Sequence, residues 1–94
     1  MKIREETGDK KSIADGFSSI AFIFDGLKNY PESLKNYLAA LRIYKVLNDE
    51  LGVARCFLTI GFINNNTGDL QEALKNVFNA VKIFEQNKDK SPMG

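Results

Sequence analysis

Residues 53–92 read VARCFLTIGFINNNTGDLQEALKNVFNAVKIFEQNKDKSP, and they repeat residues 13–52, IADGFSSIAFIFDGLKNYPESLKNYLAALRIYKVLNDELG, without a gap. Twelve of the 40 aligned pairs are identical, whereas chance matching of ordinary compositions gives about two or three. A repeat of this length is typical of proteins that stack copies of one supersecondary unit. The identical pairs are Ala14/Ala54, Phe17/Phe57, Ile20/Ile60, Phe22/Phe62, Ile23/Ile63, Glu32/Glu72, Leu34/Leu74, Lys35/Lys75, Asn36/Asn76, Ala40/Ala80, Ile43/Ile83 and Asp49/Asp89.

Each copy of the repeat predicts two helices. In the first copy, apolar residues recur at helical spacing over residues 13–24 and again over residues 34–44. The second copy shows the same two stripes over residues 53–61 and 74–84, and no segment alternates like a strand. Small residues at matching points of the paired helices predict that the two helices approach closely. These small residues are Ala21 or Gly61 on the first helix and Ser33 or Ala73 on the second.

Local sequence also predicts where the helices begin. Asn29 with Glu32, and Asp69 with Glu72, have the spacing of a capping box, in which two side chains satisfy free N–H groups of the first turn. Pro31 fits a first turn, where a missing N–H costs little. Three aspartates lie one period apart, and each is a candidate N-cap for the first helix of one unit. They are Asp9, Asp49 and Asp89.

The second copy resembles the tetratricopeptide repeat. The residues that carry the resemblance are Phe57-x-x-Ile60-Gly61, then Gly68-Asp69-Leu70-Gln71-Glu72-Ala73-Leu74, then Ala80. The period of 40 exceeds the family's usual period of about 34 and is similar to that of a longer variant found in bacterial signalling proteins. Asn64 stands where the family has an aromatic residue, and Lys28-Asn29 replaces its Gly-Asp turn.

The resemblance implies an all-α fold, a right-handed α-solenoid of antiparallel helix hairpins with two full repeats and a partial N-terminal helix. Such units need about three copies to bury their cores, so we expect an excised segment of a longer protein whose raw ends associate. The chain is then a single tetratricopeptide-like domain, 1–94, with the end of a preceding repeat at 1–8, repeats at 9–48 and 49–88, and the start of a truncated next repeat at 89–94, signalled by Ser91-Pro92.

The same resemblance implies a binding groove, because the first helix of each repeat lines the concave side of such arrays. Phe22 and Phe62 are identical between the repeats and leave two interpretations open. They either pack against the neighbouring first helix or form aromatic steps for an apolar residue of a partner. The groove lacks the Lys/Asn set that clamps a terminal carboxylate in some members of the family. The expected partner-binding residues are Asp15, Ser18, Ser19, Phe22, Asp25, Arg55, Leu58, Thr59, Phe62 and Asn65.

The residues needed for catalysis are scarce. The chain has no His and one cysteine, Cys56, so neither a zinc site nor a Cys–His nucleophile is expected. Its seven glycines are scattered and form no phosphate-binding loop. We therefore predict no catalytic, cofactor-binding or metal-binding residue, no cofactor, and no enzyme activity. The run Asn64-Asn65-Asn66 is either a frayed helix end or a set of amides that bond a partner's backbone.

Charge and hydropathy restrict the class of partner. The net charge of +1 gives no reason to expect nucleic acid, and no apolar run approaches the roughly 20 residues of a membrane span, so no membrane insertion is expected. A single cysteine fits the cytoplasm, with the periplasm as an alternative. We expect a scaffold that binds a protein or peptide within a bacterial signalling protein. The alternative is a structural spacer or a module that forms homo-oligomers through its exposed repeat ends.

Overall fold

Residues 2–90 fold into four helices joined by turns of two or three residues. The computed structural model describes the backbone of residues 2–90 and the side chains of residues 9–88. The prediction of an all-α fold is confirmed, since these residues contain helices and turns and no strand. The predicted helix start at Ser91-Pro92 lies outside the described residues. The helices are α1 (Lys2–Gly26), α2 (Tyr30–Val46), α3 (Glu50–Thr67) and α4 (Leu70–Lys90).

Each helix packs chiefly on the next helix along the chain, α1 on α2, α2 on α3 and α3 on α4. Side-chain hydrogen bonds join paired helices both near the turn that connects them and further away from it. In the first pair, Ser33 Oγ donates to the carbonyl of Ala21 at 2.8 Å, and Tyr44 bonds Asp15. Such pairing describes antiparallel neighbours, which short turns favour. The structure therefore contains two helical hairpins, α1–α2 and α3–α4.

The largest core cluster lies where α1, α2 and α3 meet. It contains aromatic and branched residues of α2 and α3 and two alanines of α1 that have no exposed surface. Because alanine adds almost no bulk, α1 can lie close against α2. The cluster consists of Ala14, Ala21, Tyr37, Ala40, Leu41, Tyr44, Cys56, Ile60 and Ile63.

The close approach predicted for the paired helices is confirmed at Gly61. A Cβ atom at Gly61 would lie 2.7 Å from Val77 Cγ2 and 3.2 Å from the carbonyl oxygen of Ala73. At the equivalent point of the first hairpin, Ala21 is fully buried and its carbonyl accepts the Ser33 hydroxyl. Both hairpins therefore depend on small residues at the same register position.

The predicted caps are confirmed in part. Asp49 accepts a bond from the Gly52 N–H at 3.1 Å, and Asp69 accepts a longer one from the Glu72 N–H at 3.5 Å. Asn29 occupies the N-cap position of α2 but makes no side-chain cap bond, so that capping box is wrong. Asp9 and Asp89 are also wrong, because a side chain caps only where a helix begins, and both lie inside helices.

Two turns hold non-glycine residues in the left-handed region, with φ of 63° at Lys28 and 57° at Asn48. The third turn uses Gly68, at φ 90°. Lys28, at the position equivalent to Gly68, therefore keeps the turn but places a Cβ where it is sterically disfavoured.

The asparagine run forms the last turn of α3, just before the turn at Gly68, and both interpretations of the run stay predictions. α3 continues to Thr67, and its last carbonyls accept bonds from Gly68 and Asp69. Asn64 is buried, and its side-chain oxygen accepts a bond from Asn76 Nδ2 at 2.8 Å. This bridge between α3 and α4 occupies the place of the expected aromatic residue.

None of the four helices, over the residues described, combines the length and apolar character that crossing a bilayer requires.

Candidate functional site

A cleft of ≈ 580 Å³ lies between α1 and α3, with Tyr37 and Tyr44 of α2 in its lining. Both tyrosines are almost fully buried, so they form its floor while the first helices of the two hairpins form its walls. Six of the ten predicted groove residues line it: Asp15, Ser18, Ser19, Phe22, Arg55 and Thr59.

Four predicted groove residues lie outside this cleft, and helix geometry explains two of them, Leu58 and Phe62. Where a repeat position faces straight into the cleft, its residue lines the cleft in both helices. Asp15 of α1 and its equivalent Arg55 of α3 are such a pair. A repeat position on the side of the helix lines the cleft from only one of the two helices, because α1 and α3 turn opposite sides toward each other. Phe22 therefore lines the cleft and its equivalent Phe62 does not. The predicted residues outside the cleft are Asp25, Leu58, Phe62 and Asn65.

The two phenylalanine rings are accessible. Phe22 is 69% exposed and Phe62 is 58% exposed, so neither ring is packed away between helices. Phe22 stands beside Ile23 on the α1 wall of the cleft. The α1 wall therefore offers apolar side chains together with the hydroxyl groups of Ser18 and Ser19.

A network of polar contacts holds one end of the cleft together. The Tyr44 hydroxyl donates to Asp15 Oδ1, which joins α2 to α1. Lys11 Nζ lies 3.1 Å from Asp49 Oδ2 and 5.7 Å from the centre of the Tyr44 ring. The Tyr44 ring in turn covers Gly52, where an added Cβ would lie 2.6 Å from a ring carbon. These contacts fix the relative positions of α1, α2 and α3.

The protonation states in this network follow from burial and hydrogen bonding. Burial, then the bond to Asp15, raises the pKa of Tyr44 to about 12, so the phenol remains a donor at neutral pH. The Gly52 N–H, aided by Lys11, holds the pKa of Asp49 below its ordinary value. Asp49 is therefore ionised at neutral pH, as a helix cap and partner of Lys11 should be.

Cys56 lines the cleft but is almost fully buried. Burial raises the pKa of its thiol to about 11, against the weaker opposing effect of a bond from Ser18. The thiolate is the form that attacks substrates or binds metals, and at neutral pH it is almost absent here. Cys56 is therefore a small packing residue of the cleft wall.

Arg55 is the charged lining residue that remains available to a ligand. Its side chain is exposed and forms no ion pair with any residue the structure describes. Asp15 bonds Tyr44, and Lys11 pairs with Asp49. The cleft thus offers an exposed aromatic ring, a cation and several hydroxyl groups.

Half of the lining residues were not predicted. Tyr37 and Tyr44 were expected only as core residues, yet they serve both the core and the cleft floor. Gly52 and Cys56, one turn apart on α3, give a low helix surface that leaves room for the cleft, and this spacing of small residues was visible in the sequence. The lining residues not predicted are Lys11, Ile23, Tyr37, Tyr44, Gly52 and Cys56.

Comparison of the chain with models of known families, with curated proteins and with solved structures finds no match. The function of the cleft must therefore be inferred from the chain's own residues.

Proposed function

We propose that the chain is a tetratricopeptide-like scaffold whose cleft between α1 and α3 holds a peptide or an extended segment of a partner protein. The proposal is supported most by the convergence of six predicted residues on one cleft. In this proposal the two hairpins are repeats of a right-handed α-solenoid, 9–48 and 49–88. The setting in a bacterial signalling protein and the cytoplasmic location follow from the resemblance and belong to the same proposal.

The lining indicates the chemistry of the ligand. Phenylalanine and arginine are both enriched in the cores of protein interfaces. Phe22 would contact an apolar side chain, and Arg55 would bond a carboxylate or a carbonyl of the same segment. The hydroxyls of Ser18, Ser19 and Thr59 line the space between them and would bond backbone groups of the segment.

The equivalent phenylalanines provide a matched test. A peptide is first selected from a random display library on the immobilised chain, and its affinity is then measured by fluorescence anisotropy for Phe22→Ala and Phe62→Ala. Both rings are largely exposed, so neither substitution should unfold the chain. We expect Phe22→Ala to weaken binding about tenfold or more and Phe62→Ala to leave it unchanged. Equal effects of the two substitutions, or an effect of Phe62→Ala alone, would contradict binding in the cleft.

A second function, self-association, is favoured by a separate observation. Apolar side chains are exposed along both α1 and α4, the first and last helices of the stack. A contiguous exposed apolar surface commonly marks a protein interface. A spacer without any ligand would need neither these surfaces nor the open cleft.

A further inference from the structure

The end helices α1 and α4 each expose an apolar stripe, and on α1 this stripe borders the cleft at Ile23. On α4, Leu74 is 72% exposed and Val81 is 42% exposed. On α1, Ile20 is 45% exposed and Ile23 is 61% exposed. These pairs are seven and three residues apart, so each pair lies on one face of its helix. We call the two surfaces the α4 face (Leu74, Val81, Phe84) and the α1 face (Ile13, Ile20, Ile23).

The repeat shows what these faces would look like when covered. Inside the chain, Leu41 and Tyr44 of α2 pack in one cluster with Ile60 and Ile63 of α3. All four are buried, with exposures of 7%, 7%, 5% and 0%. The 40-residue register takes Leu41 to Val81 and Tyr44 to Phe84, and it takes Ile60 and Ile63 back to Ile20 and Ile23. The α4 face therefore repeats the α2 half of the interface, and the α1 face repeats the α3 half.

We infer that the two faces bind each other between copies of this chain, with α4 of one copy packed on α1 of the next as α2 packs on α3. The inference deepens the self-association proposal and does not depend on the cleft having a ligand. The contact between copies continues the α2–α3 interface that the fold already contains. On the α1 face both isoleucines of the template are retained, and on the α4 face Phe replaces Tyr and Val replaces Leu.

Gly16 fits the same arrangement. It lies in the interior of α1, where glycine is less favourable than alanine, and nothing approaches within 4 Å of a Cβ built there. Packing inside the chain therefore does not explain its small size. Its register equivalent is the buried Cys56, which lies in the cluster beneath α2, so a second copy's α4 would approach α1 at Gly16.

The contact between copies should be weaker than its internal template. Inside the chain, the Tyr44 ring covers Gly52, where a Cβ would come within 2.6 Å of it. The equivalent residues are Phe84 and Ser12, so the Phe84 ring must sit further out than the Tyr44 ring. The assembly should therefore dissociate on dilution.

The symmetry of the contact distinguishes it from other dimers. The α4 face and the α1 face are different surfaces, so the association is head-to-tail. Each copy can bind one neighbour through its α4 face and another through its α1 face. Two complementary variants test this. One carries Leu74→Glu and Val81→Glu, and the other carries Ile20→Glu and Ile23→Glu. All four side chains are at least 42% exposed, so the fold should persist, and circular dichroism verifies it.

The measurement is molar mass by light scattering after size exclusion, over a concentration series. We expect the mass of the unmodified chain to rise with concentration, and each variant alone to remain at 10.6 kDa. An equimolar mixture of the variants should form a dimer, since one supplies an intact α1 face and the other an intact α4 face. Asn79→Asp with Gln86→Glu adds the same two charges to α4 away from the stripe, and this control should associate like the unmodified chain.

Three results would overturn the inference. The unmodified chain could remain a monomer at every concentration. The mixture of variants could remain monomeric. Either variant alone could form dimers, which would assign the contact to two identical faces, α1 on α1 or α4 on α4.

Discussion

The close contact between α3 and α4 at Gly61 predicts a cost for the smallest possible enlargement, Gly61→Ala. The new methyl group would lie 2.7 Å from Val77 Cγ2, and it would also approach the Ala73 carbonyl oxygen at 3.2 Å and the Val77 nitrogen at 3.3 Å. Two of these three atoms belong to the backbone, so rotating one side chain does not relieve the contact. The helices must separate, and overpacking of this kind costs about 1–3 kcal/mol.

A matched substitution removes the effect of helix propensity. Replacing glycine by alanine inside a helix stabilises it by about 1 kcal/mol, which would partly hide the packing cost at Gly61. Gly16→Ala gives the same gain in a place where nothing lies within 4 Å of the new methyl. The difference in unfolding free energy between the two variants therefore isolates the packing cost, and we expect it to be about 1–3 kcal/mol.

The assay is urea denaturation followed by circular dichroism at 222 nm, at one low protein concentration because association would add stability. Gly16→Ala should raise the unfolding midpoint, and Gly61→Ala should lie well below it with a similar slope. Equal midpoints for the two variants would refute the close approach of α3 and α4 at Gly61.

Three further predictions concern the turn at Lys28, the cleft-floor residue Tyr44 and the cleft-wall residue Cys56. Lys28→Gly should stabilise the chain by about 1 kcal/mol, because Lys28 adopts a left-handed φ of 63° that glycine accepts freely, and thermal unfolding measures the gain. Unfolding free energy should fall as pH rises from about 10 to 12, since the folded Tyr44, with its pKa raised to about 12 by burial and Asp15, keeps a proton that the unfolded phenol has lost. Tyr44→Phe should reduce that slope and cost about 1 kcal/mol at neutral pH, and an unchanged slope would contradict the Tyr44 environment. The Cys56 thiol, buried and with its pKa raised to about 11, should react with a disulfide reagent only on the timescale of unfolding, and rapid labelling of the folded chain would contradict its burial.

The helical repeat was predictable because its evidence is local and occurs twice. Apolar spacing and small residues at matching positions required only the sequence, and the structure confirms the helices and the close approach at Gly61. Capping was less predictable because it depends on where the chain reverses direction. Asp9 and Asp49 occupy equivalent positions, but α2 ends just before Asp49 while α1 runs through Asp9.

The Asn64 bridge shows a second limit of sequence reasoning. Asn36 and Asn76 are identical residues in register, yet Asn36 bonds the carbonyl of Glu32 in its own helix at 2.8 Å, and Asn76 bonds Asn64 across the hairpin. The difference arises because the position opposite is Phe24 in one hairpin and Asn64 in the other. A bond between helices depends on both partners and on their separation, which neither residue reveals alone.

The candidate cleft was predictable to the extent that its residues face straight out of α1 and α3. The pair Asp15 and Arg55 met that condition. Residues on the flanks could not be assigned without knowing which side of each helix faces the other helix, and of the two equivalent rings the cleft lining includes Phe22 alone. The tyrosine floor was missed because it belongs to the second helix of the hairpin, whereas the family resemblance directs attention to the first.

A chemical-shift map of the ¹⁵N-labelled chain, titrated with the selected peptide, tests the proposed site. Binding in the cleft predicts that the largest backbone changes occur around Ser18, Phe22, Arg55 and Thr59, with little change on the exposed side of α4. Changes concentrated at the α4 face, or spread over Phe62 and Asn65 while the cleft residues stay unchanged, would contradict the assignment of the cleft as the binding site.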